Sequence, residues 1–187
     1  MKLKYAIGAC VFLIVLLLLL WHLYENFGGF TDDESRAVSR LNELGSSTMT
    51  YTYSTRTELC RASGIITREH FECYGKIRYL GRLAFVDVDF DKLETLENLH
   101  NVADTVIITR GNITNAKITS ILAVSHNLKS VHFYDCNVDD STLDILQKSN
   151  SINSVSISGT KITGERLAQF RKQRPDIRVM TTLRPNS

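Results

Sequence analysis

The second half of the chain repeats one arrangement of apolar and polar positions. Three segments, starting at Ala103, Leu128 and Ile152, align on the template apolar-x-x-apolar-x-apolar-x-x-turn-x-apolar and follow one another at a nearly constant spacing. Apolar residues that alternate with polar ones are typical of a strand with one buried face. Each segment is therefore predicted to begin with a short strand that ends in a tight turn.

A helix is predicted after each turn. The positions at helical spacing are Ile118 and Ile121, Leu143 and Leu146, and Leu167 and Phe170. Thr114, Asp139 or Thr163 precedes each set, and the side-chain oxygen of such a residue can accept a hydrogen bond from a free amide of the first helical turn. Since one such unit cannot bury its own apolar face, neighbouring units must stack.

The segments on either side extend this pattern. "LGRLAFVDVDFDKLETLENLHN" indicates an irregular first unit, with a strand near Leu83 to Val88 and a helix that contains Leu93, Leu96 and Leu99. "PDIRVMTTL" predicts a last strand with Ile177 and Met180 at template positions. That strand would leave an open edge at the end of the sheet.

The segment before the repeats predicts a cap. "TDDESRAVSRLNELG" has a capping box from Thr31 to Glu34 and ends at Gly45, and its apolar positions are Val38, Leu41 and Leu44. "STMTYTYSTR" predicts a strand that buries Met49, Tyr51 and Tyr53. We interpret residues 25–78 as a cap and residues 79–187 as the repeat domain.

The repeat resembles the leucine-rich repeat family, L-x-x-L-x-L-x-x-N/C-x-L, which has a period of roughly 20 to 29 residues. "CNVDDSTLDIL" and "TKITGERLAQF" resemble the variant found in small bacterial, membrane-anchored members, and "RAVSRLNELG" is similar to their cap helix. The resemblance implies an α/β fold: a short solenoid with parallel strands on one face and helices on the other, after an amino-terminal α/β cap. It also implies that Cys136 points inward at the turn, where Gly111 and Thr160 hold the equivalent places.

The amino-terminal segment predicts a single transmembrane helix. Ala6 to Trp21 contains no charged residue, and a helix over residues 5–24 spans the hydrocarbon layer of about 30 Å at about 1.5 Å per residue. Lys2 and Lys4 keep residues 1–4 in the cytoplasm, which places the carboxyl-terminal domain outside it. Cleavage of this segment as a secretory signal is the alternative.

The charge balance and the cysteine spacing restrict which partners and cofactors the sequence predicts. All 20 acidic residues follow the predicted span, as do all basic residues except Lys2 and Lys4, so the exported part is formally neutral and no nucleic-acid partner is predicted. No C-x-x-C or H-x-x-x-H spacing occurs, and we predict neither a metal nor another cofactor. Cys60 and Cys73, both in the cap, form either a disulfide or two separate buried thiols.

The side chains between the template residues are expected to form a concave binding face. Its predicted binding residues are Ile107, Thr109, Ser130, His132, Tyr134, Ser154, Ser156 and Ser158, joined by Thr105, Val179 and Thr181. A basic cluster on the last helix, with Arg166, Arg171, Lys172 and Arg174, is a second candidate surface.

Two classes of function fit the sequence. We expect a membrane-anchored, non-catalytic module that binds a protein or an envelope polymer, with no small-molecule substrate. The alternative is an extracytoplasmic hydrolase or thiol enzyme that uses His70 and Cys73, or His132. No motif that brings together a nucleophile, a base and an orienting group supports this alternative.

Overall fold

Seven described strands form one sheet, and the chain between them is mostly helical, so the protein is α/β. The computed structural model describes residues 12–20, 31–50 and 57–182 of the chain. The strands are β1 (Ser47–Thr50), β2 (Thr57–Ser63), β3 (Leu80–Val86), β4 (Val102–Thr109), β5 (Ser130–Tyr134), β6 (Ser154–Ser158) and β7 (Arg178–Thr182). The helices are α1 (Asp32–Glu43), α2 (Arg68–Lys76), α3 (Asn115–Val124), α4 (Asp140–Lys148) and α5 (Gly164–Gln173), with a 3₁₀ turn at Phe90–Lys92 and a helical segment at 12–20.

The strands lie in the sheet in chain order, and all neighbours from β2 to β7 are parallel. Thr105 pairs with Ser130, and Ser130 pairs with Ser154, which confirms the predicted alignment of the three segments. The parallel part begins earlier than the sequence indicated, because Thr57 of β2 pairs with Leu80 of β3 at nearly the same spacing. The sheet therefore crosses the boundary drawn at residue 79, and of the described strands only β1 runs antiparallel to its neighbour.

The core lies between one face of the sheet and the helices. Two rows of strand side chains are buried there: Cys60, Leu83, Val106, Val131 and Val155, and Ala62, Phe85, Ile108, Phe133 and Ile157. The predicted helical positions, such as Ile118, Leu143 and Phe170, belong to the same buried cluster. Each large apolar side chain buried in this way contributes about 1.5–3 kcal/mol.

Helix α1 confirms the predicted capping box and its end. Thr31 Oγ1 accepts from the Glu34 amide at 3.2 Å, and the Glu34 carboxylate accepts from the Thr31 amide at 3.0 Å. Gly45 follows the helix with φ +87°, a left-handed conformation that glycine adopts without a steric cost.

The helix predicted around Leu93, Leu96 and Leu99 is wrong. After the 3₁₀ turn at Phe90–Lys92 this segment forms no helix, although all three leucines are buried. The buried positions recur at every third residue, and in an α-helix of about 3.6 residues per turn such a set drifts by about 60° at each step. Two such steps span about 120°, which is close to the width of an ordinary apolar stripe on a helix, so this spacing does not distinguish a helix from the irregular segment that buries all three leucines.

Two strand predictions were also wrong. In β7, Val179 pairs with Val155 and Thr181 with Ile157 in the core rows, so these two residues do not lie on the open side of the sheet. Met180 does, since it pairs with Ser156; the predicted register was off by one position, which exchanges the faces of a strand.

In β1, Met49 pairs with Leu59 and is 48% exposed, not buried. Residues opposite each other in an antiparallel pair project from the same face, and Leu59 belongs to the open side. Tyr51 and Tyr53 lie outside the described residues.

The helical segment at 12–20 consists of apolar residues that are all between 42% and 69% exposed. Among the described residues, no helix combines the length and apolar character that a membrane crossing requires. The predicted span at 5–24 includes residues 5–11 and 21–24, and these lie outside the described part of the chain, as do residues 1–4.

Candidate binding face of the sheet

The side of the sheet that faces away from the core carries three rows of side chains, and we call it the open face. Its first row is Leu59, Arg82, Thr105, Ser130, Ser154 and Arg178; its second is Arg61, Ala84, Ile107, His132, Ser156 and Met180; its third is Ser63, Val86, Thr109, Tyr134 and Ser158. All eight predicted binding residues lie in these rows. The parallel register brings them together because paired residues of neighbouring strands stand side by side.

Seven of the eight are partly exposed, but Ser156 is only 4% exposed. Ser156 therefore lies in the predicted row but is buried there. It stands between His132 and Met180 in the second row, and both neighbours have larger side chains. Thr105, at 5% exposure, is also covered.

His132 and Tyr134 form the aromatic centre of the open face. Their rings meet edge to face, with centroids 5.9 Å apart, and the Tyr134 hydroxyl lies 3.4 Å from His132 Nδ1. Burial lowers the pKa of His132 below its ordinary value of 6.5; nearby Asp104 opposes this shift, and Arg82 adds to it. The imidazole is therefore mainly neutral at pH 7.

The open face is basic at its ends. Arg61, Arg82 and Arg178 are exposed, and none of the described positions in the three rows is acidic. Sequence reasoning missed these arginines because it placed β2 in a separate cap, began β3 near Leu83 and shifted β7 by one position. The available signal was the spacing that relates Cys60 and Ala62 to Leu83 and Phe85, which nearly equals that of the later repeats.

A column of left-handed residues borders the open face where the strands end. Asp87, Arg110 and Asp135 have φ of 57°, 50° and 53°, and Gly64 and Gly159 hold the equivalent positions with φ of 74° and 64°. Arg110 donates two hydrogen bonds to the Asp87 carboxylate, at 2.7 and 2.8 Å. These bonds hold the pKa of Asp87 below its ordinary range.

Cys136 lies just beyond this column and points into the core. It is 5% exposed, and its Sγ donates to the carbonyls of Ile108, at 3.2 Å, and Tyr134, at 3.3 Å. Burial raises the pKa of this thiol. The side chain thus fills the turn and satisfies its backbone groups, as the repeat pattern implied.

A ladder of polar side chains follows the same turns. Asn137 Nδ2 donates to Asn112 Oδ1 at 2.7 Å, and Asn112 Nδ2 donates to Asp89 Oδ1 at 3.0 Å. Asn137 Oδ1 also accepts from the Ile113 amide at 2.8 Å. The ladder ties three successive turns together at the border of the open face.

His70, one residue of the alternative catalytic hypothesis, has a structural role. His70 caps α2: its Nδ1 accepts from the Thr67 amide at 3.1 Å, and its ring also hydrogen-bonds the backbone of Leu44. Burial lowers the pKa of His70 and raises that of Cys73. Both ring nitrogens of His70 are thus engaged with the backbone.

Cys60 and Cys73 are both free, buried thiols in this structure. Burial raises the pKa of Cys60 to about 12. A buried thiol of this kind is unreactive, because the thiolate is the nucleophilic form.

The basic cluster of the last helix does not form one surface. Arg166 pairs with Asp144 of α4. Arg174 pairs with Asp176 at 2.7 Å and donates to the carbonyls of Gln147 and Ser149, at 2.6 and 2.9 Å. Two of the four cations therefore hold α5 and the segment after it against α4.

Comparison with known proteins adds no family to this picture. No protein-family model matches the chain, and no curated protein matches it.

Within the described ranges, no three His, Cys, Asp or Glu side chains are grouped so as to hold a metal ion.

Proposed function

We propose that this chain is a membrane-anchored, non-catalytic module of the leucine-rich repeat type that binds a protein or an envelope polymer on the open face. The observation that carries the proposal is the continuity of the three outward rows across the parallel strands β2 to β7. The buried apolar residues of the described helices belong to the core cluster on the opposite side of the sheet. The open face is therefore available as a platform with an aromatic centre.

The regularity of the turns supports the repeat assignment. Equivalent positions recur at a nearly constant spacing from β2 to β7. The left-handed column, the ladder of Asn112 and Asn137, and the inward Cys136 occupy fixed places within this period. These features connect one turn to the next, and a stack of repeated units requires such contacts between neighbours.

The amino-terminal segment supports the anchor. A soluble helix normally has a polar side, but residues 12–20 are apolar all round and exposed. Lys2 and Lys4 precede this segment, and this charge bias favours a cytoplasmic amino terminus with the sheet on the other side of the membrane.

The experiment is an alanine replacement of Ile107, His132 and Tyr134 together, in the full-length chain expressed in its native membranes. The partner is captured by chemical cross-linking in these membranes. Aromatic side chains are enriched among the residues that dominate binding energy at protein interfaces, so the triple variant should no longer capture it. The matched control replaces Leu122, His126 and Ile145 on the helical side, which have similar chemistry and are also at least partly exposed.

Thermal unfolding by circular dichroism checks that both variants remain folded. Loss of the partner in the open-face variant and its retention in the control support the proposal. Retention of the partner in the open-face variant overturns it.

A further inference from the structure

The first row of the open face has an arginine on each side of a hydroxyl strip. Arg82 of β3 is followed across the sheet by Thr105, Ser130 and Ser154, and then by Arg178 of β7. Adjacent strands are about 4.8 Å apart, so four steps place the two arginine backbones roughly 19 Å apart.

Both arginines are open to a partner. Each is exposed, and neither forms an ion pair with another residue in the ranges that the structure describes. Arg61 adds a third positive charge beside the Arg82 end, in the neighbouring row. Between the two ends the first row itself carries no charge: Ile107 and His132 stand beside the hydroxyl strip in the second row, and the carboxylate of Asp104 lies near His132.

We propose that the open face binds an extended acidic peptide segment that runs across the strands along this first row. The proposal rests on the proposed binding function and specifies its partner. An extended chain rises about 3.3 Å per residue, and residues an even number apart project to the same side. Two carboxylates six positions apart are thus about 20 Å apart on one side, which matches the separation of Arg82 and Arg178.

The distribution of charge favours such a peptide over a polyanion. A polymer with a charge on every unit would place its middle charges over Thr105, Ser130 and Ser154, where the first row has no cation and the carboxylate of Asp104 lies nearby. Desolvation of unpaired charges is costly. A peptide with small polar residues between two acidic ones avoids this cost and matches the hydroxyls of Ser130 and Ser154.

The test uses the full-length chain in zwitterionic detergent micelles and a fluorescent Ser/Thr peptide with two aspartates six positions apart. Anisotropy should report binding that weakens as salt is raised, because salt screens exposed charge pairs. Arg82→Gln and Arg178→Gln should each weaken binding about 2- to 5-fold. Arg36→Gln, a change of the same kind at an exposed site on α1, should leave it unchanged.

The spacing of the aspartates supplies a second control. When they stand five positions apart, the carboxylates fall on opposite sides of the extended peptide, and binding should drop to that of a peptide with one aspartate. Equal binding of the two peptides, or no binding at millimolar peptide, overturns the proposal. So does binding by the Arg82→Gln/Arg178→Gln double variant that equals that of the wild type.

Two further probes separate the partner class from the binding function. If a uronic acid polymer or anionic vesicles bind through Arg82 and Arg178 while the peptide does not, the acidic-peptide proposal fails. The binding function then still stands, provided that the variant of Ile107, His132 and Tyr134 loses its native partner. If that variant keeps its partner, the function itself fails.

Discussion

The carboxylate of Glu34 accepts hydrogen bonds from both the backbone amide and the guanidinium Nε of Arg78, each at 3.0 Å. The same carboxylate completes the capping box of α1 with Thr31. One buried side chain therefore caps the start of the helix and fastens it to the residues that lead into β3. The cap and the parallel sheet are joined at this point.

Glu34→Gln should lower the free energy of unfolding at pH 7 by about 1–3 kcal/mol, because it weakens charge-assisted bonds at a buried site. Burial raises the pKa of Glu34, but the hydrogen bonds from Arg78 and Thr31 outweigh this effect, and the folded pKa lies below 4.5. The contribution is thus present above the unfolded pKa and is lost as the pH falls through the folded pKa. Urea unfolding of both proteins at neutral and acid pH measures it.

The difference between wild type and Glu34→Gln should shrink at acid pH. Glu43→Gln, on the exposed side of the same helix, is the control and should change stability by less than about 1 kcal/mol. If the difference in the free energy of unfolding between the two proteins is the same at both pH values, the charge of Glu34 does not contribute to stability.

Gly159→Ala should destabilise the protein by about 1–3 kcal/mol, because φ is +64° there and a Cβ would overlap the carboxylate of Asp135. Adding Asp135→Gly should recover part of the loss, since it removes the overlapping group. Gly164→Ala is the matched control: it has open space at the start of α5 and should stabilise by about 0.5–1 kcal/mol. Denaturant melts of these variants measure the changes, and equal effects of the two glycine replacements would contradict the geometry.

Asn137→Ala should cost about 1–3 kcal/mol, because the Ile113 amide loses its acceptor. Asn112→Ala removes hydrogen bonds that are more exposed to solvent, and it should cost about 0.5–1.5 kcal/mol. Asn150→Ala, at an exposed site away from the ladder, should stay within about 0.5 kcal/mol of wild type. Thermal unfolding measures the stability of the three variants. A variant of Asn112 or Asn137 that is as stable as Asn150→Ala would show that the replaced side chain does not stabilise the turns.

Cys60, Cys73 and Cys136 should resist alkylation at pH 8 in the native protein and react in denaturant, since burial raises the pKa of all three thiols. Mass spectrometry of iodoacetamide-treated protein locates the label. The same peptide map under non-reducing conditions tests whether Cys60 and Cys73 are two separate thiols, as they are in the structure. A linked peptide pair means a disulfide, and two separately labelled peptides mean two thiols.

Leu16→Lys together with Leu18→Lys should release the chain from the membrane fraction. Each lysine at the centre of a span costs about 2.5–3.5 kcal/mol on insertion scales. Alkaline extraction followed by fractionation measures the effect, with Leu16→Ile/Leu18→Ile as the control. If the lysine variant remains in the membrane pellet, this segment is not the anchor.

The sequence predicted the middle of the fold well because its signals are local and repeated. Val131, Phe133 and Val138 recur at the same places as Val155, Ile157 and Ile162, and all of them are buried. The capping box at Thr31 is equally local. Strand β2 was harder to assign, because it packs Cys60 and Ala62 where strands β3 to β6 have larger apolar side chains.

The candidate site was predicted only in part, for a related reason. The residues of β4 to β6 were found, but the arginines that border them were not, since Arg82 and Arg178 depend on the register of strands that the template fits poorly. A shift of one position moved Val179 and Met180 to the wrong sides. Register is a property of pairing between strands, and a weak pattern within one strand does not fix it.

Each parallel strand of the described sheet pairs only with the strands just before and after it in the chain. A second copy of one complete unit, such as residues 128–151, could therefore be inserted between two existing units. Its strand would pair with both neighbours, and its residues would extend the core rows and the polar ladder of the turns. The molecule can be lengthened by whole units through gene duplication or design, and each insertion would move Arg178 one strand farther from Arg82 without disturbing either end.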